Sequence, residues 1–263
     1  MIALAAVAAA PASPIALVVC APGYPGTTVD AQPAMDRFAA TLAHAAALAP
    51  DALAAVYHER EDHGLERLRK PDVALALVPF AFWVQHGAAL GLVPRLQAVP
   101  ADSAESETWS LVVKKGRIDT AADLSGWELV SIAGYAPVFV RERALAGWGR
   151  LSGDVRMTAS GQALSALRRA AGGQDVAVLL DGAQSRALST LPFAADLEVV
   201  AVSPPLPVSV LCEVRARASD PAVAAVVAAL GNLHRSSEGQ AALAELRLAR
   251  FVSAQAALTS PRK

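Results

Sequence analysis

Apolar runs and amphipathic stretches alternate along this chain. Ile15–Cys20 (IALVVC) is a continuous apolar run of buried-strand length. Similar runs recur at 52–57, 73–78, 96–99, 109–114, 128–132, 155–158, 176–180, 197–202 and 208–214. Helix-type stretches lie between them. The first follows Asp30, read as its cap, and places Met35, Phe38, Leu42 and Ala45–Ala46 on one face. Others are predicted at 62–70 (stopped by Pro71), 80–90, 137–148 (with Pro137 in its first turn), 161–171, 182–189, 221–233 and 237–246. Ser236 reads as the cap of the last, with Glu238 in its first turn, and Ala121–Leu124 as a single helical turn.

Strands that alternate with helices predict βαβ units and mostly parallel sheets. Two segments break the rhythm: the polar stretch 100–107 (PADSAESE, after Val99) and the proline-rich 203–207 (SPPLP). They set the middle of the chain apart from its two ends. The simplest architecture is α/β with two lobes: 13–104 plus 205–263 as one, 105–204 as the other, joined by two crossing segments. Open α/β sheets receive ligands beyond the carboxyl ends of their strands, so two such lobes enclose a cleft. One strand-to-helix phrase occurs twice, as DVALALVPFAFW at 72–83 and DVAVLLDGAQSR at 175–186. We expect these to be equivalent strands, one per lobe, each ending at the cleft with different groups for one ligand.

Composition narrows the function. Hydrophobic residues make up 54% of the chain, enough for a sizeable core, although much of that is alanine. A net charge of -1 and no basic stripe with interleaved aromatics argue against a nucleic-acid partner. Cys20 and Cys212 both fall in apolar strand-type runs and read as buried free thiols, with a disulfide between them as the alternative. The start, MIALAAVAAAPASP, is too short to span a membrane and runs into Ala10-Pro11-Ala12. We read residues 1–12 as an export signal that lacks a basic region, and the chain as periplasmic. His58 and His63 are five residues apart, which on a helix is about 140°. They read as a solvated helix start, and neither a metal nor a cofactor is expected. No nucleophile–base pair, phosphate loop or GxGxxG follows any strand, so the chain does not read as an enzyme.

Four stretches carry a family resemblance: Tyr24-Pro25 after the first strand, DVALALVPFAFWVQHG at 72–87, RIDTAADLSGWELVSI at 117–132 and SSEGQAALAELRLARFVSA at 236–254, read as a closing helix. In order and spacing the chain resembles the type-II periplasmic substrate-binding proteins, in their phosphate-, phosphite- and phosphonate-binding branch. The resemblance covers nearly all of 14–254. It implies two lobes that close by hinge motion on a small ligand, possible oxyanions or small organic acids included, and a membrane partner: an ABC permease or a sensor kinase. It also implies a monomer. Phosphonate binders of that family place a Ser-Thr-Ser-type cluster where this chain reads Ala133-Gly134-Tyr135-Ala136-Pro137. The hydroxyls are gone and Pro137 removes an N–H donor. A buried dianion without donors is costly.

Six residues are candidates for ligand contact. Tyr24 lies in a Gly/Pro loop at a strand's carboxyl end. Phe80 stands nearest the end of its strand, ahead of Phe82 and Trp83. Tyr135 holds the corresponding place in the other lobe. Ser160 and Gln162 stand at the next helix start and can donate or accept, or simply cap. Asp181 ends the 176–180 strand, as helix cap, ligand contact or both. Two other readings of the same pattern remain: an enzyme on this fold, of the thiamine-pyrimidine or menaquinone-pathway type, and a degenerate binding protein that contacts only a protein partner.

Overall fold

The computed structural model describes residues 14–24 and 26–254; the expected export segment 1–12 lies outside them. The strands are β1 (Ile15–Cys20), β2 (Leu53–His58), β3 (Val73–Pro79), β4 (Leu92–Pro100), β5 (Ser106–Glu107), β6 (Ser110–Lys114), β7 (Glu128–Ser131), β8 (Arg156–Ala159), β9 (Val176–Leu180), β10 (Leu197–Val202), β11 (Leu206–Pro207), β12 (Ser209–Val214) and β13 (Leu248–Ser253). The helices are α1 (Thr28–Ala45), α2 (Glu61–Leu68), α3 (Phe80–His86), α4 (Pro137–Phe139, continued by a wider turn through Val140–Ala144), α5 (Ala163–Ala171), α6 (Gly182–Ala187), α7 (Pro221–Asn232) and α8 (Ser237–Glu245).

These strands form two sheets, ordered β13-β4-β12-β3-β1-β2 and β10-β6-β9-β7-β8. The repeated phrase explains their likeness. β3 lies between β12 and β1, and β9 lies between β6 and β7. In each sheet the phrase-bearing strand is parallel to one neighbour, which is parallel to the next (β3, β1, β2 and β9, β7, β8), and antiparallel to the other. The sheets are therefore mixed rather than mostly parallel. The chain leaves the first sheet after β4 and returns at β12, so each strand at a crossing enters its sheet against the parallel core. The crossing segments themselves pair as a two-stranded antiparallel ribbon, β5 with β11.

Local chemistry places the other differences from the sequence reading. Thr27, not Asp30, caps α1: its hydroxyl accepts from the Asp30 amide at 3.2 Å, and Asp30 supplies the acidic first turn. The buried face of α1 is Met35, Phe38, Ala39, Leu42 and Ala43, one step inside the expected Ala45–Ala46. The closing segment 236–254 is not one helix. Arg247 adopts φ 56°, which ends α8, and the chain then runs back along β4 as the edge strand β13. His58 ends β2 rather than starting a helix, and His63 alone lies in α2. Cys20 and Cys212 are buried and free. Strand β3 separates theirs, so about 9–10 Å of sheet lies between them, too far for a disulfide.

Three buried clusters hold the molecule. One packs the first sheet on α1, α7 and α8 through Phe38, Leu42, Leu75, Val226 and Leu243. Another packs the second sheet on α5 through Leu167, Ala170 and Val178. The third is continuous across both sheets, joining Val18, Val78 and Val210 of the first to Leu111, Leu129 and Leu179 of the second. The two lobes are therefore closed onto one another.

Candidate functional site

The carboxyl ends of β1, β3 and β7 meet at the closed seam. Each gives way to a turn that carries an aromatic residue. After β7, the Ser131 hydroxyl donates to the Leu179 carbonyl at 2.8 Å and accepts from the Ala133 amide at 3.2 Å, which fixes the turn. Gly134 then passes against the Thr158 and Ala159 backbone so closely that a Cβ would collide with it. Tyr135 projects from this turn and meets the Phe82 ring of α3 at 6.5 Å between centroids. After β3, Phe80 opens α3 with its amide donating to the Val208 carbonyl at 2.9 Å, which ties it to the returning crossing segment. Phe80 meets Phe139 of α4 edge-on at 6.0 Å, and Trp109 meets the same ring at 5.1 Å. Such pairs contribute about 0.5–1.5 kcal/mol each beyond the area they bury.

These rings enclose a cavity of about 10 Å³, room for roughly one water. Tyr24, Phe80, Trp109, Ile132, Tyr135 and Phe139 are among its walls. No lysine or arginine stands among the described wall residues. Burial pushes the Tyr24 phenol upward, and Glu107 and then Asp181 push it further. Tyr135 is raised well above the ordinary phenol range by burial, then by Tyr24, Cys20 and Glu61.

A wider recess of about 370 Å³ opens beside the crossing ribbon, walled by Glu107, Thr108, Ser185, Arg186 and Pro205 among others. Glu107 Oε2 accepts from the Gly182 amide at 2.9 Å. Its carboxyl is pushed up to about 7, chiefly by burial and further by Asp181, while the Gly182 amide and Arg186 pull it down. Asp181, 7% exposed, caps α6: it accepts from the Gln184 amide at 2.8 Å, and the Gln184 side chain accepts from the Asp181 amide at 3.2 Å. Burial raises its carboxyl too. The buried Trp109 indole N–H lies against Glu107 and helps to hold its carboxyl down, although the pair falls outside strict hydrogen-bond geometry. The two carboxyls lie outside the cavity's described walls but near enough to Tyr24 to raise its phenol, so the cavity has an acidic side.

Of the six sequence candidates, Tyr24, Phe80 and Tyr135 line the cavity together, while Asp181 is not among its described walls and caps α6, acting on the cavity only through its charge on Tyr24. Ser160 and Gln162 are not among its described walls. Ser160 Oγ accepts from the Gln162 amide at 3.1 Å, just ahead of α5, and Gln162 is exposed. Glu107, Trp109 and Phe139 were not singled out in the sequence. Glu107 and Trp109 bracket the start of the second lobe, a position that the crossing-segment reading already marked. Among the described residues, no group of three or more His, Cys, Asp or Glu could hold a metal ion.

The sequence model of the family described as "ABC transporter, phosphonate, periplasmic substrate-binding protein" matches residues 30–258. No curated protein matches the chain. Among solved structures, a Xanthomonas citri protein bound to chloride superposes with a TM-score of 0.67 at 15% identity, covering 92% of each chain. A binding protein component of an ABC phosphonate transporter from Pseudomonas aeruginosa gives 0.55 at 16% identity, over 92% of this chain and 82% of that one. PhnD1 from Prochlorococcus marinus, in complex with methylphosphonate, gives 0.59 at 13% identity, over 94% and 95%. At such identities the structures speak for the fold, two lobes with helix-flanked sheets, and the family match covers most of the sequence. The chain therefore belongs to the phosphonate-type periplasmic substrate-binding proteins of ABC transporters, which bind small molecules and work with a membrane permease.

Proposed function

We propose that this chain captures a neutral or cationic solute with a compact apolar body, rather than a phosphonate dianion, between lobes 13–104 plus 205–263 and 105–204. The observation that carries this is the charge at the cavity. Two carboxyls, Glu107 and Asp181, lie near enough to the Tyr24 wall to raise its phenol, and no lysine or arginine is among the cavity's described walls. An anion placed there meets like charge in a poorly solvated site, where both desolvation and repulsion oppose it. An ammonium or hydroxyl head instead finds acceptors at Asp181 and Glu107. Tyr24, Phe80 and Tyr135 supply the aromatic walls such sites use. Ser160 and Gln162 stand outside the described walls of the closed cavity, and this reading gives them no contact with the solute.

A cavity of about 10 Å³ admits no solute, so the lobes open before binding. The closed complex is then presented to the permease on the periplasmic side, after removal of residues 1–12, by a monomer. A thermal-shift panel of amines, hydroxylated organics, organic acids and phosphonates at pH 7 tests this reading. A solute at 100-fold excess over its Kd stabilises the fold by about 2.7 kcal/mol. We expect amine or hydroxyl compounds to raise Tm, and the D181N variant, whose side chain still caps α6, to lose that response. A panel in which only phosphonates raise Tm would overturn it.

A further inference from the structure

The turn Ser160-Gly161-Gln162, between β8 and α5, has an occupant other than a solute. Its middle residue faces the turn that follows β1 in the opposite lobe. A Cβ on Gly161 would stand 3.0 Å from the Gly23 carbonyl oxygen, and among the described residues no other atom outside its chain neighbours comes within 4 Å of that point. An ordinary close carbon–oxygen contact is about 3.3–3.6 Å, so a side chain at 161 crowds the other lobe and nothing else. On its second flank Gly23 lies against Ile132, just after β7. A Cβ on Gly23 would stand 2.9 Å from Ile132 Cγ1. Gly23 thus sits between two points of the opposite lobe, with room for a side chain at neither contact.

Both sides of this contact are shaped by hydrogen bonds of their own. In the second lobe the Ser160 amide donates to the Ser131 carbonyl at 2.9 Å, and Ser160 Oγ accepts from the Gln162 amide at 3.1 Å, which folds the turn around Gly161. In the first lobe the Ala21 amide donates to the His58 carbonyl at 3.0 Å, and the Tyr24 amide donates to the Ala21 carbonyl at 3.2 Å. Gly23 adopts φ 82° within that turn, a conformation glycine takes without strain. Its two chain neighbours, Pro22 and Tyr24, are both walls of the cavity, and so is Ile132. The seating of Gly23 therefore sets where these walls stand.

We infer that the Ser160–Gln162 turn is a seat on which the lobes close, and that Gly161 is a positioning residue: the space it leaves admits the Gly23 carbonyl, docks the β1 turn and brings Pro22 and Tyr24 into the cavity wall. The inference concerns closure and holds whatever the charge of the solute, so it fails separately from the reading above. Small-angle X-ray scattering of the ligand-free protein reads the separation of the lobes. The wild type is compared with G161A and G161V, and with G153V as control, because a Cβ on Gly153 of the same lobe meets nothing within 4 Å. We expect the radius of gyration to rise from wild type to G161A and again to G161V, with cooperative denaturant unfolding kept in each and no rise in G153V. A side chain that merely weakened the second lobe would lower the unfolding midpoint without separating the lobes. If G161V does not fold, G161S takes its place. An equal radius of gyration in the wild type and the Gly161 variants overturns the inference. So does a rise in G153V as large as that in G161V.

Discussion

Glu107 shows how one side chain couples the crossing ribbon to the binding end of the second lobe. Its carboxyl sits near 7 in the fold against an ordinary 4.5, so the folded chain holds this proton more tightly than the unfolded chain does. The stability it contributes is fully present below about 4.5 and is lost as pH rises through 7. The shift corresponds to at most about 3 kcal/mol, less what solvent screening removes at a half-buried group. We expect the unfolding free energy of the wild type to fall between pH 5 and pH 8 more than that of E107Q, measured by denaturant titration at each pH. Equal slopes would show that the carboxyl is solvated. The thiols work differently. Burial pushes Cys20 up to about 12, so it stays protonated and unreactive at neutral pH.

At the scale of elements, the turn between β7 and α4 is the most constrained part of the site. Gly134 has no room for a side chain against the end of β8, and Tyr135 must leave the turn toward α3. A G134A substitution forces the turn away from Thr158. We expect a loss of about 1–3 kcal/mol in stability by chemical denaturation, together with lower affinity for any solute that the aromatic walls receive. An unchanged midpoint would mean that the turn relaxes freely.

Much of this architecture was legible in the sequence. The repeated Asp-Val-Ala phrase marked β3 and β9 as counterparts, and continuous apolar runs marked the buried strands, because a strand covered on both faces leaves that signature in any context. The edge strand β13 was not legible. LARFVS follows directly on a helix, and it is the left-handed Arg247, rather than proline or glycine, that separates them. The antiparallel additions to each sheet were missed because the direction of a strand depends on where the chain crosses, not on its own residues. The site divided in the same way. Tyr24, Phe80 and Tyr135 follow strand ends, which local pattern can locate. Glu107 matters only through Gly182, far along the chain within the same lobe, and nothing in its neighbours along the chain announces that contact.

For the whole molecule, the closed seam sets the terms of binding. The lobes share one buried cluster, and the space between the aromatic walls is smaller than any solute. Binding therefore draws on the open population, and apparent affinity is the intrinsic affinity reduced by the fraction of molecules that are open. Changes that weaken the seam without touching the walls raise apparent affinity by enlarging that fraction. The sign of the charge that Glu107 and Asp181 set beside the cavity then decides which solutes benefit. The most direct test holds the apolar body constant and changes only the head group. Benzylamine and benzylphosphonate are titrated calorimetrically into the wild type at pH 7. Glu107 and Asp181 predict that benzylamine binds measurably and more tightly; benzylphosphonate binding as tightly or tighter, or no heat from either, would contradict the account.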